Sequence, residues 1–530
     1  MRLSWAAVCC LLAACGGGGG DDAAPTVPAA PKAVLTTISV TLSVSTLQVG
    51  QTATAIAAGL DQFNAPFALG GVAWSSSNTA IATVTAGGQV NAVAAGQAQI
   101  VASSESKSGQ AALTVMAADS TPVISFFSEE IPGSKNHTPN GTWWGYNQGK
   151  IVRYGNIVFM YVIENANLDT NPNPNVLNPS RFRLYKKEGS GSWQGGAAFN
   201  ASRPGNLLVD SRGVLHAIVF EPTSTSDNGS FGKLRHYWFP GSINGDITNS
   251  QGETIVDNNG TTDGETVNIR VGAAIGSDDR MAVAFGLATK NSGQTEQMYY
   301  KGTADAAWTP QLAGTNLGHD FYYPYVVVSG GGFSILSVQD EFMGTGQANL
   351  YQMVQYFESA GATWNNETIV DLRTNPAAST RPTLTEPSDL YSDAHGTVHV
   401  LYYSKTDPSD ASHKTFTHKT RTGGGWTAVD VIAQDKYLDW MRMIEIGGVL
   451  YYVAVSNNNV YVKKGDAGAL VRLNGLGLAG AYLYVASPSR GTRTTENYVD
   501  LLLLNGNSSS YPNAKNYYIR IDKSEFLKLK

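Results

Sequence analysis

Beyond residue 15 the sequence lacks cysteine, and it also lacks the motifs of common metal sites. All three cysteines, Cys9, Cys10 and Cys15, lie at the N-terminus. The remaining chain therefore has no disulfide, no thiol nucleophile and no cysteine ligand. Neither a D-x-[DN]-x-[DN]-G calcium loop nor an H-E-x-x-H zinc motif is present, so the sequence predicts no metal site and no cofactor, and leaves only a structural calcium ion open.

Clustered positive charge and long apolar runs are also scarce. The 36 basic and 42 acidic residues give a formal charge of −6 without a basic block, which argues against nucleic acid as a partner. After the N-terminus no apolar run is long enough for a membrane-spanning helix. By contrast, the 57 glycines and 25 tyrosines favour many short strands joined by tight turns.

The N-terminus has the features of a secretory signal. Arg2 supplies a positive charge, and residues 6–14 form an apolar run too short to span a bilayer. The end of this run resembles the lipobox of bacterial lipoproteins, with the residues Leu12, Ala13, Ala14 and Cys15. The resemblance implies cleavage before Cys15 and lipidation of its thiol, and Gly16 in place of Asp implies the outer membrane. The alternative is an ordinary signal peptide that contains a cysteine.

Two segments follow residues 1–15. Residues 16–33 are rich in Gly, Ala and Pro, which predicts a flexible tether. Residues 34–117 alternate apolar and polar positions between Gly/Asn/Ser turns, as in a β-sandwich. Within them L-Q-V-G, V-A-W-S-S-S-N, I-A-T-V and G-Q-V-N-A-V-A-A-G occur in that order and resemble the bacterial Ig-like group 2 domain. We expect a spacer with Trp74 in its core, and adhesion to a host or glycan is the alternative.

Residues 122–530 repeat a loose unit of about 50–60 residues. Two clear copies read D-x-x-G-x-x-H and continue into an apolar strand, beginning at Asp210 and Asp393. Sheets that repeat radially protect their edges, as in a β-propeller. About seven units favour seven blades over six. The predicted fold is therefore all-β, an Ig-like β-sandwich followed by a β-propeller.

The repeat resembles the BNR-type propellers of sialidases and polysaccharide-degrading families. The strict S-x-D-x-G-x-x-W box of sialidases is absent. The nearer resemblance is to seven-bladed, ulvan-type polysaccharide lyases, and it is carried by Asp210, Gly213, His216, His236, Tyr237 and the segment Asp246-Ile247-Thr248. Those lyases usually have a His before the first Pro of the unit, whereas Arg203 precedes Pro204 here. The resemblance implies β-elimination on a uronic-acid glycan.

Such an elimination needs a group that neutralises the sugar carboxylate, a base for the C5 proton and an acid for the leaving oxygen. Arg, His and Tyr suit these roles near neutral pH. The predicted catalytic residues are His236, Tyr237, His216, Arg235 and Arg203. The predicted substrate-binding residues are His137, His319, Tyr322, Arg381 and His399. The alternative for a His in D-x-x-G-x-x-H is that it only satisfies hydrogen bonds of the turn.

The leading functional prediction is an exported, lipid-anchored polysaccharide lyase that acts on an acidic extracellular polysaccharide at the cell surface. One alternative is a glycoside hydrolase, which needs two carboxylates from the available Asp340, Glu341, Glu386, Asp389 and Asp439. Another is a glycan- or protein-binding lipoprotein without enzymatic activity. Several aromatic residues either stack on sugars or form blade core: Trp143, Trp144, Tyr322, Tyr323, Tyr325, Trp440 and Tyr482.

Overall fold

A computed structural model describes the chain from residue 31 onward, with gaps. The described residues are 31–116, 122–131, 147–165, 180–201, 204–222, 232–258, 266–267, 271–289, 293–303, 306–315, 321–329, 332–341, 350–360, 363–372, 384–405, 414–422, 425–435, 438–456, 459–473, 482–487, 492, 497–504 and 516–530. They belong to two compact units, Met1–Thr121 and Pro122–Lys530. No helix within these ranges is long and apolar enough to cross a membrane.

The first unit is a β-sandwich. Its strands are β1 (Leu35–Leu42), β2 (Thr46–Gln48), β3 (Thr52–Asp61), β4 (Pro66–Phe67), β5 (Ala73–Ser76), β6 (Ala82–Val84), β7 (Gln89–Ala92), β8 (Gly96–Ser104) and β9 (Lys107–Met116). One sheet has the order β1-β3-β7-β6 with β4 beside β3, and the other has the order β2-β9-β8-β5. Alternate residues of the strands meet in a core that includes Val90, Ile100 and Leu113. Trp74 is half-buried and packs against this core, as the sequence predicts.

The second unit contains seven sheets in its described residues, which we call sheets I to VII. It opens with β10 (Phe126–Glu130). Sheet I contains β11 (Ile151–Tyr154), β12 (Ile157–Asn165), β13 (Ser180–Glu188) and β14 (Gln194–Asn200). Sheet II contains β15 (Asn206–Val209), β16 (Leu215–Pro222), β17 (Gly232–Phe239) and β18 (Gln251–Asn258), with a 3-10 helix at Ser242–Asn244. Sheet III contains β19 (Thr266–Val267), β20 (Gly272–Ile275), β21 (Met281–Thr289), β22 (Gly293–Lys301) and β23 (Thr309–Thr315).

The remaining sheets have four strands each, as sheets I and II do. Sheet IV contains β24 (Phe321–Ser329), β25 (Gly332–Glu341), β26 (Leu350–Ala360) and β27 (Thr363–Asp371). Sheet V contains β28 (Leu384–Ser392), β29 (Val398–Lys405), β30 (Lys414–Arg421) and β31 (Trp426–Asp435). Sheet VI contains β32 (Leu438–Ile446), β33 (Val449–Ser456), β34 (Asn459–Lys464) and β35 (Val471–Arg472). Sheet VII contains β36 (Tyr482–Val485), β37 (Tyr498–Leu504) and β38 (Tyr517–Asp522), followed by α1 (Lys523–Phe526).

Sheet VII closes the ring with a strand from the other end of the unit. The order β36-β37-β38-β10 places β10, which precedes sheet I in sequence, at the outer edge of sheet VII. The first strands of successive sheets, β11, β15, β20, β24, β28, β32 and β36, contact one another in turn, and β37 contacts β11. This circular arrangement is the β-propeller that the sequence predicts.

The first strands lie around a narrow common axis. The Nη1 atom of Arg442 on β32 lies 3.0 Å from the hydroxyl of Tyr325 on β24, which joins sheets VI and IV across sheet V. Asn147, just before sheet I, donates from Nδ2 to the carbonyl of Pro324 in sheet IV at 2.8 Å. A first strand that packs between the first strands of two neighbouring sheets is buried on both faces, and all four residues of β15 are buried. Burial on both faces is expected of a strand that is apolar along its whole length.

The D-x-x-G segments form the tight turns that the sequence predicts. Asp210 Oδ1 accepts from the backbone N–H groups of Arg212 and Val214 at 3.0 and 2.8 Å. Gly213 has a φ of 85°, a left-handed conformation that favours glycine. The second copy repeats this geometry at Asp393, and its Gly396 has a φ of 81°. In both copies the turn joins the first and second strands of its sheet.

Candidate functional site

The predicted residues His216 and His236 form a buried pair inside the propeller wall. His216 Nδ1 lies 2.9 Å from His236 Nε2, and His236 Nδ1 lies 2.8 Å from Glu253 Oε1. The two histidines are only 2% and 1% exposed. Lys301 of sheet III donates to the same Glu253 oxygen at 2.7 Å. Because the two rings contact each other and His236 contacts Glu253, which Lys301 also holds, these contacts within the wall favour the structural interpretation of both histidines.

Arg235 and Tyr237 lie on the opposite face of β17 from His236. Successive residues of a strand point to opposite faces. Tyr237 stacks on Phe199 of sheet I at a centroid distance of 3.9 Å and donates to Glu221 Oε1 at 2.6 Å. Burial, reinforced by Glu221, raises the pKa of Tyr237 to about 12. The structure therefore separates this predicted catalytic set into two groups that face different neighbouring sheets.

Sheet V repeats the histidine pair. His399 Nδ1 lies 3.0 Å from His418 Nε2, and His418 Nδ1 lies 3.1 Å from both carboxylate oxygens of Asp466 in sheet VI. The hydroxyl of Tyr452 lies 3.0 Å from the same His418 nitrogen. The recurrence of one His–His–carboxylate arrangement in two sheets is typical of a structural feature of the repeat unit.

The other predicted residues are not placed by the structure. His137, His319, Arg203, Arg381 and Cys15 lie outside the described residues. Tyr322 lies in β24, but its side chain is outside the described residues, as are those of Asp340 and Glu341 at the end of β25. Trp143 and Trp144 also lie outside them. No group of three or more His, Cys, Asp or Glu in the described part of the chain could hold a metal ion.

Two of the five carboxylates that the sequence analysis assigned to the hydrolase alternative, Glu386 and Asp439, lie in one group of side chains at one end of the first strands. We call this group the axial mouth cluster, and its members are Glu386, Tyr403, Lys414, Asp439, Trp440 and Tyr482. They come from sheets V, VI and VII, near the starts of β28, β30, β32 and β36 and the end of β29. Because these strand ends meet at the same edge of the ring, distant segments of the chain build one cluster.

Direct contacts connect the cluster. Tyr403 donates its hydroxyl proton to Glu386 Oε2. The Lys414 ammonium lies 4.9 Å from the centre of the Tyr403 ring and 3.7 Å from Asp439 Oδ1. Trp440 packs against the rings of both Tyr403 and Tyr482 at centroid distances of 6.0 Å. A phenol, an ammonium group, two carboxylates and an aromatic platform therefore lie together.

The cluster is partly open to solvent. The Asp439 side chain is 38% exposed and that of Lys414 is 13% exposed, whereas Glu386, Tyr403 and Trp440 are buried. Burial, together with the nearby carboxylates of Glu386 and Asp439, raises the pKa of Tyr482 to about 12. Burial lowers the pKa of Lys414, and Asp439 offsets part of this effect. Tyr482 therefore stays a neutral phenol at physiological pH, and Lys414 is a partly desolvated cation.

β-Bulges interrupt the first strands of sheets IV, V and VI, the last two of which contribute to this cluster. The pairing of β28 with β29 skips Ser388, and the pairing of β32 with β33 skips Asp439. In β24 the register shifts between Tyr322 and Tyr325, and Tyr323 has a φ of 56°. The first strands of sheets I, II and VII, and β20 in sheet III, pair with their second strands without a shift. Bulges redirect side chains and are common next to active sites. Their positions therefore indicate the same part of the ring as the axial mouth cluster does.

Sequence reasoning overlooked several residues of this region. The sequence analysis either read as parts of strands or did not single out four residues: Tyr403, Lys414, Arg442 and Lys150. Of these, Lys150 lies near the axis, with its Nζ 3.2 Å from the Tyr161 hydroxyl. One signal was available: Pro324 and Pro387 interrupt apolar strands. Proline within a strand commonly marks a bulge. The two prolines thus pointed to sheets IV and V.

The chain is similar to several solved structures, all at low identity. A polysaccharide lyase, Uly1, aligns with a TM-score of 0.46 and 13% identity, over 71% of this chain and 90% of that one. The α-L-arabinanase of Penicillium chrysogenum aligns with a TM-score of 0.37 and 11% identity, over 60% and 94% of the two chains. The sialidase of Trypanosoma rangeli aligns with a TM-score of 0.38 and 11% identity, over 64% and 58%.

The sequence comparisons concern the first domain. No curated protein matches the chain. The family model of the bacterial Ig-like domain (group 2) matches residues 34–115. This range agrees with the predicted module and with the β-sandwich of the first unit. Residues 34–115 therefore form a bacterial Ig-like domain of group 2.

Proposed function

We propose that this protein is a carbohydrate-active enzyme and that the axial mouth cluster is its site. The observation that carries the proposal is the phenol–carboxylate pair Tyr403–Glu386, with Lys414 beside it and Trp440 against it. Cleavage of a glycosidic bond requires proton transfer and charge stabilisation, and an aromatic side chain that stacks on the sugar ring helps to bind the substrate. The described residues combine all three in one partly exposed cluster.

The finer proposal is β-elimination on an acidic, extracellular polysaccharide. Lys414 would neutralise the uronate carboxylate, exchanging its loose 3.7 Å contact with Asp439 for the substrate. Tyr403, with its own proton passed to Glu386, would take the C5 proton, and the C4–O bond would then break. The departing oxygen would receive the proton held by Glu386, which restores both side chains and leaves an unsaturated sugar. The lysine beside the phenol supports these roles, because a nearby cation stabilises a phenolate.

A second candidate, hydrolysis, is favoured by the two carboxylates of the cluster. Glu386 and Asp439 lie on the first strands of neighbouring sheets, and both influence Tyr482. Glycoside hydrolases commonly use two carboxyl groups that flank the scissile bond, and some use a tyrosine as nucleophile. Tyr403, hydrogen-bonded to Glu386, has the geometry of such an activated nucleophile. Asp439, the more exposed acid, would then protonate the leaving group.

A polysaccharide panel tests the proposal. The purified protein is incubated with acidic and neutral polymers, and both ultraviolet absorbance and reducing ends are measured. Elimination gives new reducing ends together with the absorbance of the unsaturated product. Hydrolysis gives reducing ends alone. Binding of a polymer without either signal would overturn the enzymatic proposal and would support the non-enzymatic binding alternative.

A further inference from the structure

Beneath the axial mouth cluster, Arg442 links the first strands of four sheets. From β32 its Nη1 donates to the carbonyl of Ser388 on β28 and, at 3.0 Å, to the hydroxyl of Tyr325 on β24. Its Nε donates to the carbonyl of Leu483 on β36 at 3.0 Å. The Arg442 side chain is fully buried. A planar guanidinium with donors in a fixed fork suits such a role, because it sets the directions of several bonds at once.

The partners of Arg442 also hold the bulges in place. The Tyr325 hydroxyl donates to the carbonyl of Pro387 at 3.3 Å. Ser388, the residue skipped in the β28 pairing, donates from Oγ to the carbonyl of Met441 at 2.6 Å. We call Tyr325, Ser388, Asp389 and Arg442 the axial latch. These side chains form hydrogen bonds with backbone groups at or beside the positions where the bulges interrupt the sheet hydrogen bonds. Without these bonds the buried backbone groups would be unpaired, which is costly in free energy.

Asp389 completes the latch between sheets V and VI. Its Oδ2 accepts from the backbone N–H of Met443 at 2.9 Å, and its Oδ1 accepts from its neighbour Leu390 at 2.9 Å. The carboxylate is buried and interacts electrostatically with Arg442. The bulged strands β28 and β32 are thus fixed to each other through side chains as well as through their contact as neighbours.

The latch lies directly against the cluster. Glu386 precedes Ser388 by two residues, and Trp440 precedes Arg442 by two residues. The Arg442 guanidinium lies 5.5 Å from the centre of the Trp440 ring. A shift of the latch would therefore move the aromatic platform and the carboxylate above it. Displacements of about 1 Å at an active site are enough to reduce turnover on the order of 100-fold.

We propose that Arg442, through Tyr325, Ser388 and Asp389, is a positioning residue that sets the geometry of the axial mouth cluster. It does not touch the substrate and takes no part in proton transfer. The inference rests on the proposed function for its effect on turnover, but its effect on the bulged strands is independent of any reaction. On this inference, the three bulges serve to orient the side chains of Asp439, Trp440 and Glu386 towards a common position.

The test uses Tyr325→Phe, which removes one hydroxyl from the latch, and Arg442→Lys, which keeps the charge but removes the fork. Tyr356→Phe is the matched control, because Tyr356 is also a buried tyrosine of sheet IV and its hydroxyl contacts Ser334, which lies outside the latch. Full-length variants are compared by kcat, KM, Tm and amide hydrogen exchange.

For Tyr325→Phe we expect kcat to fall about 10-fold or more, with KM within about twofold of wild type and Tm no lower than that of the control. Amide exchange should accelerate in β28 and β32 only in the latch variants. Arg442→Lys should recover part of the activity that Arg442→Ala loses. Equal kcat and equal exchange in Tyr325→Phe and Tyr356→Phe would overturn the proposal, as would a KM change without a kcat change.

The two proposals fail in different ways. If the wild type cleaves no polysaccharide, the proposed function fails, while the exchange comparison still tests the latch. If the wild type is active and the exchange rates of β28 and β32 do not respond to Tyr325→Phe, the latch proposal fails and the proposed function stands.

Discussion

At the scale of single residues, the same amino acids have different roles in the wall and at the axis. His216 and His236 match a lyase-like motif, yet both are enclosed between sheets II and III. Glu386 and Asp439 carry no motif, yet the structure brings them into one cluster near the starts of β28 and β32. The sequence indicated which residue types carry chemistry. It could not indicate burial, because the depth of a strand residue depends on the neighbouring sheet.

Asp439→Asn separates the two cleavage mechanisms. If Asp439 protonates the leaving group of a hydrolysis reaction, its amide should reduce kcat by about 100-fold or more. If the reaction is an elimination, the same change should keep turnover within about 10-fold, because Tyr403 and Lys414 carry the chemistry. Initial rates on the best polymer of the panel provide the measurement. Asp257→Asn, at an exposed pair with Lys233 in sheet II, is the control and should leave the rate unchanged.

The His236 environment predicts a loss of stability in mild acid. Burial lowers the pKa of His236 to about 4, and the hydrogen bond to Glu253 offsets only part of this effect. The unfolded state therefore binds the proton more readily, and the free energy of unfolding should fall as the pH drops from about 6.5 towards 4. The slope approaches about 1.4 kcal/mol per pH unit. Neighbouring Glu253 has a pKa near 2, because hydrogen bonds from His236 and Lys301 outweigh its burial.

Urea unfolding between pH 5 and pH 7.5 measures this effect, since the carboxylates beside His236 lose their contribution only at lower pH. The comparison variant is His236→Gln, which cannot gain the proton. Its stability should depend less steeply on pH than that of the wild type. Identical slopes in the two proteins would show that His236 does not titrate as its surroundings imply.

At the scale of elements, the closing contact between sheets I and VII depends on a buried ion pair. Asp500 on β37 accepts from Arg153 Nε and Nη2 on β11 at 2.6 and 2.8 Å and from the Tyr518 hydroxyl at 2.6 Å. Both charged side chains are at most 3% exposed. The pair joins strands that are more than three hundred residues apart in sequence.

Asp500→Asn should destabilise the protein strongly, because the Arg153 charge stays buried without its partner. Breaking a buried pair in this way typically costs about 3–5 kcal/mol. An exposed pair such as Lys233–Asp257 contributes about 0–1 kcal/mol. Urea denaturation of Asp500→Asn and Asp257→Asn gives both values. Equal losses in the two variants would contradict the closing role of the Arg153–Asp500 pair.

The sequence predicted the strands and turns better than it predicted the bulges and the long-range strand pairing. The D-x-x-G turns, the alternating strands and the Ig-like module follow from local chemistry, since each needs only a few neighbouring residues. Pro387 is a local signal for the bulge at Ser388, but the bulge at Asp439 has no such signal, because a bulge is defined by the partner strand. The closing strand β10 also escaped prediction, since its partner β38 lies at the far end of the chain.

At the scale of the whole molecule, we propose an exported protein that is lipid-anchored through Cys15. A lipid at the N-terminus would hold the protein at a membrane, where a large extracellular polymer can reach it. Cys15→Ala should abolish metabolic labelling with an alkyne fatty acid and should release the protein from the membrane fraction. Labelling of the variant at the wild-type level would contradict the anchor. Cys9→Ala is the control and should be labelled normally.

The most direct test of the axial site compares Tyr403→Phe with His236→Gln on the polysaccharide that the wild type cleaves. The axial account predicts that Tyr403→Phe loses about 100-fold or more of kcat, whereas His236→Gln, measured above pH 7 and confirmed to be folded, stays within a few-fold of wild type. Full activity in Tyr403→Phe together with loss of activity in His236→Gln would contradict the account and would place the chemistry in the wall between sheets II and III.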